Sequence, residues 1–136
     1  MTIEERAEKA AGLKKSSSCN CCQAVAAVLA DQTALDAETL LQIASGFGAG
    51  MGNMEATCGA LIGAAQIAGL ALSGNQTMRV ARGLAENFSK KCGAVRCKDL
   101  KGKGTGVPLC ACEDCVRNAV LAYGEVVGLK NPKPVK

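Results

Sequence analysis

Nine cysteines and no histidine set the chemistry open to this chain of 136 residues. The thiols fall in four places: Cys19, Cys21 and Cys22; Cys58; Cys92 and Cys97; and Cys110, Cys112 and Cys115. Without histidine there is no imidazole base, no Cys–His nucleophile pair, no mixed Cys/His zinc site and no His-ligated haem. What remains is the thiolate, either as a ligand for soft metal centres or as the attacking group in disulfide exchange. Cys19-x-x-Cys22 and Cys112-x-x-Cys115 have the spacing that zinc and redox sites share. Within a continuous helix, however, such a pair is i,i+3 and is less pre-set for one metal than a knuckle turn. Free cysteine also packs as a small apolar side chain. Packing alone accounts for any one of the nine more readily than for all of them in so short a chain.

The surroundings favour ionised sulfur. Two of the four places coincide with predicted helix starts, where free backbone N–H groups and the helix dipole stabilise a thiolate. Lys90, Lys91, Arg96 and Lys98 flank Cys92 and Cys97, while Glu113 and Asp114 oppose the effect at Cys112 and Cys115. Four thiolates around one iron or zinc centre carry excess negative charge, which nearby lysines offset. The same residues serve metal binding and disulfide exchange, so residue types alone leave both open.

The elements that must bring these thiols together are helices. No proline occurs in the first 107 residues, and no segment sustains the period-2 alternation of a strand. Thr2-Ile-Glu-Glu5 reads as a capping box opening a helix to about Lys15. Ser18 is the expected N-cap of a second, reaching about Asp31, and Asp36 of a third. A fourth is expected from about Met54 to Leu72, with Cys58, Ile62, Ala65 and Gly69 on its inward stripe. Asn75 is expected to cap a fifth that ends at Gly93, and residues 98 to 109 to form a loop. A last helix starts near Cys112 and stops at Gly128. The expected fold is all-α: a compact bundle of five to six helices in one domain over residues 1–128, with 129–136 a flexible basic tail.

Other features narrow the function. Gly46-Phe-Gly-Ala-Gly-Met-Gly52 does not follow a strand, which argues against a dinucleotide fingerprint; it reads as a turn, or as backbone in close approach to the cysteines. Gly59 and Gly63, four apart, suit close helix packing, and the lone Tyr123 is assigned to packing as well. Net charge is +4 and aromatics are 2%, with no basic stripe interleaved with aromatics, so nucleic acid is not an expected partner. The uncharged stretch from Ala56 to Met78 is rich in Gly and Ala and carries several polar residues, so a buried helix is expected rather than stable membrane insertion. The charged amino terminus does not resemble an export signal, and the odd cysteine count does not suit a disulfide scaffold. A reducing, cytoplasmic setting is therefore expected.

Five motifs, in order, carry a resemblance: Asn20-Cys-Cys-Gln-Ala-Val25, Gly46 to Gly52, Cys58-Gly-Ala-Leu-Ile-Gly63, Cys97-Lys-Asp-Leu100 and Cys115-Val116. Over about residues 5 to 127 the chain resembles the C_GCAxxG_C_C family of redox-active proteins. The family pattern falls on Cys21, Cys58, Cys97 and Cys115. Cys22 stands where a small residue is more usual, and Cys19, Cys92, Cys110 and Cys112 are additional. The family is similar in turn to the iron–sulfur portion of split-Soret cytochrome c, which implies an iron–sulfur cluster of the two-iron type on those four cysteines. The haem half does not transfer, because the chain has no C-x-x-C-H.

The expected function is thus a small redox protein whose cluster, held by Cys21, Cys58, Cys97 and Cys115, exchanges electrons with a partner protein. One alternative is a metal-free thiol–disulfide oxidoreductase in which Cys97 or Cys115 attacks a partner disulfide. Another is a structural zinc module, with four cysteine ligands, that binds proteins. A homodimer is compatible with all three.

Overall fold

The computed structural model describes residues 1–130; the end of the basic tail, residues 131–136, lies outside the described residues. Seven α-helices follow one another: α1 (Ile3–Lys15), α2 (Cys21–Leu29), α3 (Ala37–Ala44), α4 (Gly59–Ala71), α5 (Thr77–Cys92), α6 (Cys97–Lys101) and α7 (Cys112–Val126). A 3-10 turn, Ala30–Gln32, continues α2, and a π-type turn, Gly50–Met54, precedes α4. No strand occurs among the described residues, only an isolated antiparallel bridge between Thr57 and Arg96. The chain is all-α and forms a single domain.

Local chemistry sets most boundaries. The Thr2–Glu5 capping box forms as expected, with Glu5 N–H donating to Thr2 Oγ1 and Thr2 N–H to Glu5 Oε1. Asp36 caps α3 by accepting from Thr39 N–H at 2.7 Å. The second helix starts two residues later than expected. Asn20, not Ser18, is its N-cap, because Asn20 and Gln23 form a reciprocal box while Ser18 folds back on Ser16. Asn75 does not cap α5; its N-cap is Gln76, in the left-handed region at φ 58°. Gly93 ends α5 at φ 95°, a conformation that costs glycine nothing.

Two differences bear on the site. The expected fourth helix does not begin at Met54: positive φ values at Ala49, Gly50, Met51, Gly52 and Met54 wind the glycine run into a tight turn, and α4 starts only after Cys58. The buried stripe of α4 is Ala60, Leu61, Ala64, Ile67 and Ala68; Ile62, Ala65 and Gly69 are only half-buried. The segment expected to be a loop from residue 98 opens with a helical turn, α6, before Gly102 breaks it at φ 69°.

The largest helix pairings are α1 with α7 and α2 with α4. Alanines supply much of the buried surface: Ala7, Ala10, Ala24, Ala60, Ala64 and Ala119 are all essentially inaccessible. Small side chains bring helix axes together, and Val25, Leu29, Ile67, Phe88, Val120 and Tyr123 fill the space between. Arg6 fixes α1 to the end of α2. Its guanidinium grips Asp31 with two hydrogen bonds of 2.5 and 2.7 Å and donates to the Val28 carbonyl at 2.8 Å. On the outside, Arg117 of α7 holds Glu8 of α1.

Candidate functional site

The ends of four helices meet at one cavity of about 250 Å3. Cys21 is the first residue of α2, Cys58 the N-cap of α4, Cys97 the first residue of α6, and Cys115 lies in the first turn of α7. All four are buried and all four line the cavity, together with Cys110 and Cys112.

Hydrogen bonding explains this convergence. The bridge between Thr57 and Arg96 pairs the segments leading into α4 and α6. Cys58 N–H donates to the Val95 carbonyl at 2.7 Å and Cys97 N–H to the Ala56 carbonyl at 3.0 Å. Two thiols 39 positions apart in the chain are thereby clamped side by side. Arg96 reinforces the clamp through the Glu55 carbonyl at 3.0 Å and the Glu55 carboxylate at 2.8 Å. The Leu100 carbonyl accepts from the N–H groups of Leu109 and Cys110, at 2.9 and 3.2 Å. That folds the last loop back over α6 and delivers Cys110, Cys112 and Cys115 to the same place.

Glycines make room for the sulfurs. A Cβ on Gly59 would collide with the Phe47 carbonyl and lie 2.6 Å from Cys21 Sγ. One on Gly50 would stand 2.7 Å from Cys97 Cβ, and one on Gly63 would stand 2.9 Å from the Cys22 carbonyl oxygen. Within the Gly46–Gly52 run, Gly50 is therefore the backbone in close approach to a cysteine, and Gly63 sets the close contact of α4 with α2.

The sulfurs interact in series. Cys58 lies between Cys21 and Cys115, and its thiol is held far below the usual cysteine range. Hydrogen bonds from Cys115 and Cys21 outweigh the cost of burial, helped by the Ala60 and Leu61 N–H groups at the start of α4. Cys21 and Cys115 are driven up in compensation, each chiefly by its hydrogen bond to Cys58. Burial raises Cys97 and pushes Cys22, whose Sγ donates to Gln66 Oε1 at 3.4 Å, up to about 12. Cys58 thus combines two thiol donors with the amides of a helix start, which favours its thiolate.

Cys115 continues the series into Cys92 and Cys110, the three sulfurs lying within 4.8 Å of one another. Neither Cys92 nor Cys110 belongs to the four expected ligands. Cys110 lines the cavity, whereas Cys92 lies outside its lining. Lys14 and Lys101 also reach the cavity. Burial works against the charge of Lys101, but the sulfurs of Cys112 and Cys97 outweigh it and raise the ammonium above its ordinary range. Of the cations that flank the cysteines in sequence, Lys91 turns away to Glu125, and Arg96 and Lys98 are engaged by Glu55.

The cavity lining offers sulfur without carboxylate or imidazole. Hard cations such as calcium or magnesium do not match that donor set, whereas iron–sulfur clusters and zinc do. The N-termini of α2, α4 and α7, with the two lysines, oppose the negative charge that several thiolates would gather.

A family model described as "Putative redox-active protein (C_GCAxxG_C_C)" matches residues 19–126. No curated protein and no solved structure matches the chain.

Proposed function

The chain belongs to the C_GCAxxG_C_C family of redox-active proteins, and from that premise we propose that Cys21, Cys58, Cys97 and Cys115 hold a two-iron iron–sulfur cluster that exchanges electrons with a partner protein. One observation carries the reading: these four thiols, from four separate helices, line the same cavity. When bound, such a cluster supplies a one-electron couple. The chain's own residues do the rest. Cys58, favoured as a thiolate, would hold the cluster together with Cys21, Cys97 and Cys115, each as a deprotonated thiol. The helix N-termini and Lys101 compensate the charge. Leu100 and the buried walls keep water off the inner side, while half-buried Cys110 and Cys112 mark the side a partner would reach.

Serine replacement tests the ligand set. Cys58→Ser and Cys97→Ser, purified without air, should lose iron and acid-labile sulfide, whereas Cys110→Ser should keep both. Equal loss in all three would contradict the assignment.

A second reading rests on Cys58 lying between two thiols. Without metal, the Cys58 thiolate would attack a partner disulfide, releasing one partner thiolate. Cys21 or Cys115 would then attack the mixed disulfide, so that two electrons pass to the partner and a disulfide forms in this chain. Under that reading the isolated protein carries no metal, and Cys58→Ser abolishes the first step.

A further inference from the structure

The four-cysteine reading leaves five thiols over, and two of them are not scattered. Cys92 ends α5 and Cys110 lies just before α7, yet their sulfurs stand within 4.8 Å of each other and of Cys115. Their placement is firm. Gly93, in the left-handed region, ends α5 directly after Cys92, and Cys110 N–H is tied to the Leu100 carbonyl. Cys92 and Cys115 are buried and Cys110 is half-buried, so the trio is open on one side only. Asn118, one turn beyond Cys115, aims its amide Nδ2 at Cys92 Sγ at 3.3 Å and at Cys110 Sγ at 4.0 Å. An amide N–H directed at sulfur is the kind of outer contact that orients a metal-bound thiolate.

We infer that Cys92, Cys110 and Cys115 form a second metal site that takes one Cu(I) ion in three-sulfur coordination. Soft thiolates select Cu(I), zinc or iron–sulfur centres. Zinc on three protein ligands takes a water or substrate as its fourth ligand, whereas three sulfurs complete the coordination of Cu(I), and the neighbouring amide presents a donor rather than a further ligand. On binding, three S–Cu bonds form as S–H bonds break and the protons leave to water, with no change of oxidation state. Cys115 belongs to both sets, so copper at this site and a cluster in the cavity compete for one sulfur. The copper site nevertheless rests on Cys92 and Cys110, which the cluster does not need.

The test is an anaerobic titration of the reduced full-length chain with Cu(I), buffered by a chromogenic chelator. One tight equivalent is expected. It should weaken by at least about tenfold in Cys110→Ser and Cys92→Ser, and by about tenfold in Asn118→Leu. Cys19→Ser should bind as the wild type does. The half-buried Cys110 carries the test if Cys92→Ser misfolds, with helical circular dichroism as the check. The inference is overturned if the wild type shows no tight equivalent, if Cys110→Ser binds normally, if Cys19→Ser weakens as much as Cys110→Ser, or if zinc but not Cu(I) follows this cysteine pattern. Cys110→Ser that loses copper but keeps iron and sulfide, beside Cys97→Ser that does the reverse, separates this site from the cluster.

Discussion

At the scale of single residues, the site depends as much on missing atoms as on sulfur. Gly59 follows Cys58 because any side chain there would meet both the Phe47 carbonyl and Cys21 Sγ. Neither partner is a flexible chain end: one is backbone and the other is a wall of the cavity. Gly59→Ala should therefore destabilise the fold by about 1–3 kcal/mol, the usual cost of overpacking, measured as a lower urea midpoint. It should also displace Cys21, so cluster content should fall more than in Gly46→Ala, where a Cβ meets nothing within 4 Å. The ordered motifs made Cys21, Cys58, Cys97 and Cys115 legible as a set. The relation of Cys92 to Cys110 was not legible, because they are 18 positions apart and lie close only through the turn at Gly93 and the Leu100 carbonyl. The orphaned hydroxyl of Tyr123 makes another residue-scale case. It is fully buried without a hydrogen-bond partner, so Tyr123→Phe should leave stability unchanged or raise it by up to about 1 kcal/mol, read from thermal melting.

Elements follow their caps. Asn20 both opens α2, which carries Cys21, and bonds the Ser45 carbonyl through Nδ2 at 3.1 Å. Asn20→Ala should cost about 1–2 kcal/mol by cap loss, whereas Ser18→Ala should cost little. Asn-x-x-Gln was there to be read as a box, and the serine run masked it. Helix α6 could not be read as a helix, since five residues give no period; its existence depends on the bridge that pairs Arg96 with Thr57. The packing of α1 on α2 is pH-sensitive. Arg6 holds the Asp31 carboxyl below its ordinary value of 3.8. A depressed carboxyl contributes stability in full above its unfolded pKa and loses it as pH falls through the folded one. Asp31→Asn should thus be less stable than wild type at pH 7, with the difference closing below about pH 4. Because Asp31 is 38% exposed on its side chain, the gap at neutral pH should be modest, about 1–2 kcal/mol. Denaturant melts of the pair across that range measure it.

For the molecule as a whole, seven α-helices among the described residues frame the thiols, and no described helix is long and apolar enough to cross a membrane. Composition and helical periodicity made the all-α class legible, and alanine abundance foretold close packing. The cavity itself is a long-range property: its walls come from residues 14 to 115, so only the family pattern hinted at it. Under the proposed function, a net charge of +4, with Lys14 and Lys101 at the cavity, would favour an acidic partner. Electron exchange with an acidic acceptor should therefore slow as salt rises from low to physiological strength, as stopped-flow mixing would show. The central claim is met most directly by iron, zinc and acid-labile sulfide analysis of the wild-type protein isolated without air. The account predicts a coloured protein with about two iron and two sulfide per chain. A colourless protein without iron or sulfide, whether bare or carrying one zinc, would contradict it.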